Sequence, residues 1–221
     1  MSIYVDDPRH NDAHNQHDVV AKAARVTGAV ADAVVDIDAD EHRRRAACGL
    51  GGVELLGLLD ALMCLPHGAA IPVRDVGKVA LWHLRQAPEG CVQWLTDTAG
   101  NELVRRLLSS VASVPLVVVH AAGWRTGLRR AAQFEPFARR VVVLSRPHKK
   151  LGEYAWEADA AGTGLWVAHP DSDQVEQIVA PAPFTPRYVR PARWRFTERA
   201  YTAWLTQPDP TRDAPTSGRV A

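Results

Sequence analysis

PLVVVHAAGWRTGLRRAAQFEPFARRVVVLSR, from Pro115 to Arg146, is the stretch that decides the fold. Its apolar run Leu116 to Val119 has the length and β-branched content of a buried strand, and Val141 to Leu144 repeats that signal. Between them Trp124, Leu128, Ala131 and Phe134 or Phe137 recur near the helical spacing, which predicts a helix. Strand, helix and strand within about thirty residues make the βαβ unit of a parallel or mixed sheet. Arg125, Arg129 and Gln133 follow one another four residues apart and so share a helix face. A basic helix leaving the C-terminal end of a buried strand stands where open α/β sheets place their ligands.

Working outward toward the C-terminus, Pro147-His148-Lys149-Lys150 is a basic turn and Leu151 to Ala161 a helix. Gly162 and Gly164 frame its end as a C-cap and re-entry into the sheet. Leu165 to Ala168 and Val175 to Val179 form a hairpin-like pair around Asp171-Ser172-Asp173. Residues 180–193 are an extended connector rich in proline and arginine, and Trp194 to Leu205 is a last amphipathic helix. Toward the N-terminus, Val19 to Val35 is Ala/Val-rich and predicts a helix, and Val53 to Leu65 a buried one. Asp38 to Ala47 carries acids at its start and Arg43, Arg44 and Arg45 near its end, which complements a helix dipole.

The region from Ile71 to Ser110 predicts a short helix Val73–Val76, a turn at Gly77 and a helix Val79–Gln86 with Val79, Trp82 and Leu81 inward. A strand Cys91–Leu95 follows, then a turn Thr96–Gly100 into a helix Glu102–Ser110. The segment Trp94 to Leu108, WLTDTAGNELVRRLL, resembles the strand-to-helix ending of winged helix-turn-helix regulators, although on this reading the wing hairpin is missing. The alternative is an α/β segment of one larger sheet, with Cys91–Leu95 as an extra strand.

From Pro115 to Val179 the chain resembles the second half of the PD-(D/E)XK nuclease core. The buried strand, a helix carrying Gln133 and, four residues on, Phe137, and the Gly162-Thr163-Gly164 turn before the next strand are similar to that family's pattern. The resemblance implies a Glu-x-Lys pair at the strand end, and those positions hold His120 and Ala122. Metal-assisted hydrolysis needs an acidic metal ligand and a group that positions water. His120 can bind a metal, with Gln133 as a second weak catalytic candidate, but Ala122 supplies nothing. Asp97, Glu102, Glu135, Glu153 and Glu157 are the acids available to replace the lost ligand.

The chain of 221 residues is 47% hydrophobic and 23% charged with net charge +1, a globular profile. Residues 1–60 hold 11 acids against 6 Lys/Arg, whereas residues 115–200 hold 13 Lys/Arg against 8 acids. An electropositive C-terminal half suits a polyanion. Cys48, Cys64 and Cys91 are odd in number and form no CxxC, which argues against a disulfide framework and a cysteine zinc site. His10, His14 and His17 cluster in a polar terminal segment. No signal pattern and no membrane-length apolar run is present, so the expected location is cytoplasmic. No phosphate-loop or Gly-x-Ser-x-Gly pattern occurs.

The expected fold is therefore α/β, α+β overall: N-terminal helices and a winged-helix-like domain, then a mixed β-sheet flanked by helices. The expected division is a tail (1–17), a helical and winged-helix-like domain (18–112), a nuclease-like α/β domain (113–206) and a second tail (207–221). The expected activity is DNA binding without catalysis, in a regulatory or mobile-element setting. Arg125, Arg129, Arg130, Lys149, Lys150, Arg190, Arg193 and Arg195 make up the nucleic-acid-binding set, with Arg187, Tyr188, Trp194 and Phe196 interleaved. No cofactor or metal is expected on this reading. One alternative is a Mg2+-dependent nuclease with migrated catalytic residues; another is a protein-interaction module, with a protein partner or a homodimer.

Overall fold

The computed structural model describes residues 19–25 as backbone, and residues 30–170, 174–185 and 190–207 in full. The histidine cluster, Arg187, Tyr188, the turn at 171–173 and both tails apart from Gln207 lie outside the described residues.

The chain is α+β, with a mixed sheet flanked by helices and a second, smaller sheet. Six strands form the large sheet: β1 (Val19–Arg25), β2 (Val30–Ile37), β6 (Ala112–Ala121), β7 (Arg139–Leu144), β8 (Gly164–Ala168) and β9 (Val175–Val179), in that spatial order. Strands β1, β2 and β6 are antiparallel neighbours, β6, β7 and β8 are parallel, and β9 returns antiparallel to β8. The apolar runs Leu116–Val119, Val141–Leu144 and Leu165–Val167 thus lie side by side, in registers such as Val119 opposite Val142 and Val142 opposite Leu165.

Helices α4 (Trp124–Ala131), α5 (Leu151–Ala160) and α6 (Pro191–Leu205) cover one face of this sheet. Ala31, Ala33, Val35, Val117, Val119, Val142, Leu144 and Leu165 meet Trp124, Phe134, Ala158, Phe196, Ala200 and Tyr201 there. Leu116, Val118, Val141, Val143 and Trp166 form a second apolar layer on the opposite face, to which no described helix contributes. Gly127 of α4 lets the helix approach the strands: a Cβ there would meet Val142 Cγ1 at 2.5 Å.

The helix expected over Val19–Val35 is instead the antiparallel pair β1 and β2. The reason is period-two burial in VADAVVDI: Ala31, Ala33 and Val35 are buried while Asp32, Val34 and Asp36 face the other way. Alanine content pointed to a helix, but alternation decides where a sheet edge is available. The large sheet accordingly draws strands from both sides of residue 112.

Residues 38–111 are inserted between two adjacent strands, since Ile37 of β2 pairs with Ala112 of β6. Asp38 caps α1 (Ala39–Ala47) by accepting from the backbone N–H groups of Asp40 and Glu41, both at 3.0 Å. Next come α2 (Leu56–Met63), β3 (Ala70–Pro72), a 3-10 turn at Val73–Asp75, α3 (Lys78–Arg85), β4 (Val92–Thr96) and β5 (Glu102–Arg106). The small sheet is antiparallel in the order β3-β5-β4, separate from the large one, so Cys91–Leu95 is not an extra strand of a single larger sheet. The helix expected over Glu102–Ser110 is strand β5, so the expected turn Thr96–Gly100 leads not into a helix but back along β4, forming a hairpin. Asp97 builds that turn: its carboxylate accepts from the backbone N–H of Ala99 and Asn101 and from the Asn101 side-chain amide at 2.8–2.9 Å, and Gly100 supplies φ 82°. These bonds hold the Asp97 carboxyl below the usual carboxylate range, those from Asn101 most of all.

Val79 and Trp82 were expected to face inward, yet they are 74% and 60% exposed. Helix α3 packs instead through Leu84 and Ala80, and through His83, which lies over Gly57 of α2.

The insert is tied to the large sheet by a buried charge network. Arg45 of α1 donates to Glu198 of α6 through two nitrogens at 2.6 and 2.8 Å and to Glu41 at 2.9 Å. Glu198 also accepts from the Val53 backbone N–H and from Trp194 Nε1. Burial pushes the Glu41 carboxyl up, but hydrogen bonds from Arg44 and Arg45 outweigh it and hold it below its ordinary value.

Candidate functional site

Strand β6 ends at Ala121 and β7 at Leu144, paired side by side, and the chain leaves both into exposed loops at one edge of the sheet. Ala122 and Gly123 lead into α4; Ser145 to Lys150, all exposed, lead into α5. An aromatic stack sets how these helices start. Trp124 is buried, donates from Nε1 to Glu157 at 2.7 Å and stacks on Tyr154 at 5.9 Å, and Tyr154 meets the His148 ring at 5.1 Å. Arg125, one residue after Trp124, is thereby held near Lys150. The Lys150 ammonium is raised above its usual value by its hydrogen bond to Glu153 at 2.9 Å, and Arg125 is close enough to oppose that shift.

His120, the last residue but one of β6, is half-exposed on the face away from the helices. Its Nε2 lies 3.0 Å from Asp32 Oδ2, reached across the β2–β6 ladder, where Asp32 sits opposite Val118. The Asp32 hydrogen bond raises the imidazole above its ordinary value, against a smaller desolvation effect. The acid beside His120 is thus none of the five proposed from the sequence. Glu153 pairs with Lys150, Glu157 with Trp124, Glu102 with Arg85 and Glu135 with Arg140, while Asp97 folds the hairpin turn. Asp32 was missed because its segment was read as helix; the available signal was the small apolar residue at every second position, Ala31, Ala33 and Val35, which sets Asp32 and Asp36 on the opposite face of a strand.

The expected basic set does not converge on one place. Arg125, Lys149 and Lys150 gather at the edge where β6 and β7 end, and Arg129 and Arg130 lie exposed along α4. Gln133 is exposed too, but in the 3-10 turn that follows α4. Arg190, Arg193 and Arg195 sit at the start of α6, near the other end of the strands, where Phe196 stacks on Phe137 at 4.9 Å. Arg193 is partly buried, 5.2 Å from the Phe184 ring, and burial lowers its guanidinium from the usual value. Trp194, expected among the stacking residues, is buried and bonded to Glu198, and Phe196 is buried in the core.

Asp32 and His120 offer one carboxylate and one imidazole. Magnesium is held by oxygens, commonly one or two carboxylates with waters and substrate phosphates, so Asp32 is a suitable donor and the His120 nitrogen is not. Among the described residues no group of three or more His, Cys, Asp or Glu side chains is placed to hold a metal ion. No helix among them is long and apolar enough to cross a membrane.

Two helices carry no carboxylate: α4, WRTGLRRA, and α3, KVALWHLR. The first turns Arg125, Arg129 and Arg130 outward, and the second Lys78, Val79, Trp82 and Arg85. The Arg85 guanidinium is engaged, 2.5 Å from Glu102 and 4.0 Å from the Trp94 ring centroid. Comparison with family models, with curated proteins and with solved structures finds no match.

Proposed function

We propose that this protein binds duplex DNA without cutting it, in a regulatory or mobile-element setting. The observation that carries the reading is the pair of helices without carboxylates, both turned to solvent, one of them at the edge of the parallel strands. The outward arginines of α4 are what a phosphate backbone selects, and counterion release gives such a surface its affinity; on α3 Lys78 adds a cation, while Arg85 is already engaged by Glu102. The order of α2, β3, 3-10 turn, α3 and the β4–β5 hairpin, with strands arranged β3-β5-β4, supports a winged helix-turn-helix. In that arrangement α3 is the helix that enters the major groove. The sequence β2, β6, α4, β7, with His120 and Ala122 in place of a Glu-x-Lys pair, supports a nuclease-like scaffold that has kept binding and lost the metal site.

Gel shift of the full chain on duplex and single-stranded DNA, over a salt series and with or without magnesium, tests the reading. Retention of duplex without cleavage is expected. Arg125→Ala with Arg129→Ala should flatten the salt slope by about 2, one phosphate for each arginine. An unchanged slope in the folded variant removes α4 from the interface.

A second reading is favoured by the Asp32–His120 pair, an acid and an imidazole in contact at a strand end. It makes the protein a hydrolase with a rearranged site, and cleavage by the wild type that His120→Ala abolishes would establish it in place of the first.

A further inference from the structure

Helix α3 presents an unusual face for a groove-reading helix. Its outward positions are Lys78, Val79, Trp82, Arg85 and Gln86, all exposed. Arginine makes the commonest specific base contact, a bidentate bond to guanine, but Arg85 is already committed to Glu102 and Trp94. What remains at the centre of the helix is apolar: Val79 and Trp82, three residues apart and therefore adjacent on one face. Trp82 is steadied by His83, whose ring meets it edge-on at 4.8 Å while seated over Gly57. The helix itself bears no acid and Lys78 stands exposed at its start, while Arg74 just before it pairs with Asp75 at 3.9 Å; the helix's own charge is therefore cationic and suits a polyanion better than a neutral protein surface.

In the major groove, the apolar feature a base pair can offer is the methyl group on C5 of a pyrimidine. We propose that α3 reads C5-methyl groups through Val79 and Trp82, so that the protein prefers duplexes carrying thymine or 5-methylcytosine. The inference rests on the duplex-binding reading above and names what that surface selects. Burying one methyl group between apolar side chains changes affinity by about fourfold.

The experiment is fluorescence anisotropy of the full chain at fixed salt on four labelled duplexes: alternating A·T, the same with deoxyuridine for thymidine, alternating G·C, and the same with 5-methylcytosine. The A·T duplex should bind more tightly than its uridine counterpart, by about fourfold for each methyl contacted. Cytosine methylation should raise affinity for the G·C duplex in the same way. Trp82→Ala and Val79→Ala should each shrink both differences, Trp82→Phe should retain them, and circular dichroism should show all three folded. Equal, salt-dependent affinity for thymine and uracil duplexes overturns the inference and leaves DNA binding standing. Binding to none of the four overturns the duplex-binding reading and the inference with it. Loss of self-association in Trp82→Ala by sedimentation, with base discrimination unaltered, assigns the face to a second copy of the chain and also overturns the inference.

Discussion

The large sheet buries β6, β7 and β8 on both faces, whereas the small sheet is packed on one. Consecutive residues Val117, Val118 and Val119, and again Val141 to Leu144, are all buried, because helices lie on one side and a second apolar layer on the other. In the small sheet only Val104 of the three strands is fully buried, and α2 supplies much of the core through Leu58, Leu59 and Leu62. The difference is one of tolerance. A two-sided layer has no free volume into which a side chain can turn, while a one-sided layer has solvent as an outlet. The same contrast separates the two outward helices: α4 is fixed by close backbone approach to the strands, whereas α3 packs through the side chains of Leu84, Ala80 and His83, the last seated over a glycine of α2.

The largest effect is expected where the two regions are joined. Glu198→Ala leaves buried Arg45 with Glu41 as its remaining carboxylate, orphans the Val53 N–H and Trp194 Nε1, and should destabilise the protein by about 3–5 kcal/mol in urea unfolding. It should also separate the unfolding of the insert from that of the large sheet, seen as non-coincident transitions by tryptophan fluorescence and circular dichroism. A loss below about 1 kcal/mol with one coincident transition would mean that apolar contacts alone couple the regions.

A matched pair of glycine substitutions sharpens the contrast. Gly127→Ala drives a methyl group into Val142 Cγ1 at 2.5 Å and Ala121 Cβ at 3.0 Å, both anchored on strands, and should cost about 1–3 kcal/mol. Gly57→Ala meets the His83 ring at 2.3–2.9 Å. That ring can rotate away, and alanine favours the helix, so a loss of no more than about 1 kcal/mol is expected. Equal costs in thermal unfolding would show that the small region is as closely packed as the large one.

The smallest effect concerns His120. Its pair with Asp32 raises the imidazole above the ordinary histidine value, so the folded chain holds a proton that the unfolded chain releases. The stabilisation is complete below about pH 6.5 and is lost as pH rises through the raised value. Because the side chain is half-exposed, the change should stay under about 1 kcal/mol. Urea midpoints between pH 5 and 9 should fall across that window in the wild type and lose this component in Asp32→Asn.

What could be read beforehand follows the same division. Strands buried on two faces appear as unbroken β-branched runs, and β6, β7 and β8 were legible from composition alone. Strands with one buried face are marked only by alternation, and in β2 alanine obscured it, hiding Asp32 and with it the partner of His120. The segment 102–108 carries Leu103, Val104, Leu107 and Leu108 at spacings that suit a helix, and only the pairing of β5 with β4 resolves the choice. The outward turn of Val79 and Trp82 was hidden for another reason: aromatic and branched side chains at helical spacing ordinarily mark a buried face, and here Gly57 provides the packing surface on the opposite side.

The insertion of residues 38–111 between paired strands has a consequence for how this molecule can be cut and rejoined. Its two ends leave and re-enter on one rung of the ladder, Ile37 opposite Ala112, where the backbones are about 5 Å apart. A tight turn spans that gap, so the module is a cassette held at one hinge and latched at a distance by Arg45 and Glu198. Exchange of the cassette should leave the Ile37–Ala112 rung in place, but a replacement must also receive Trp194 of α6, buried among the insert's core residues, and answer Arg199, paired with Glu54.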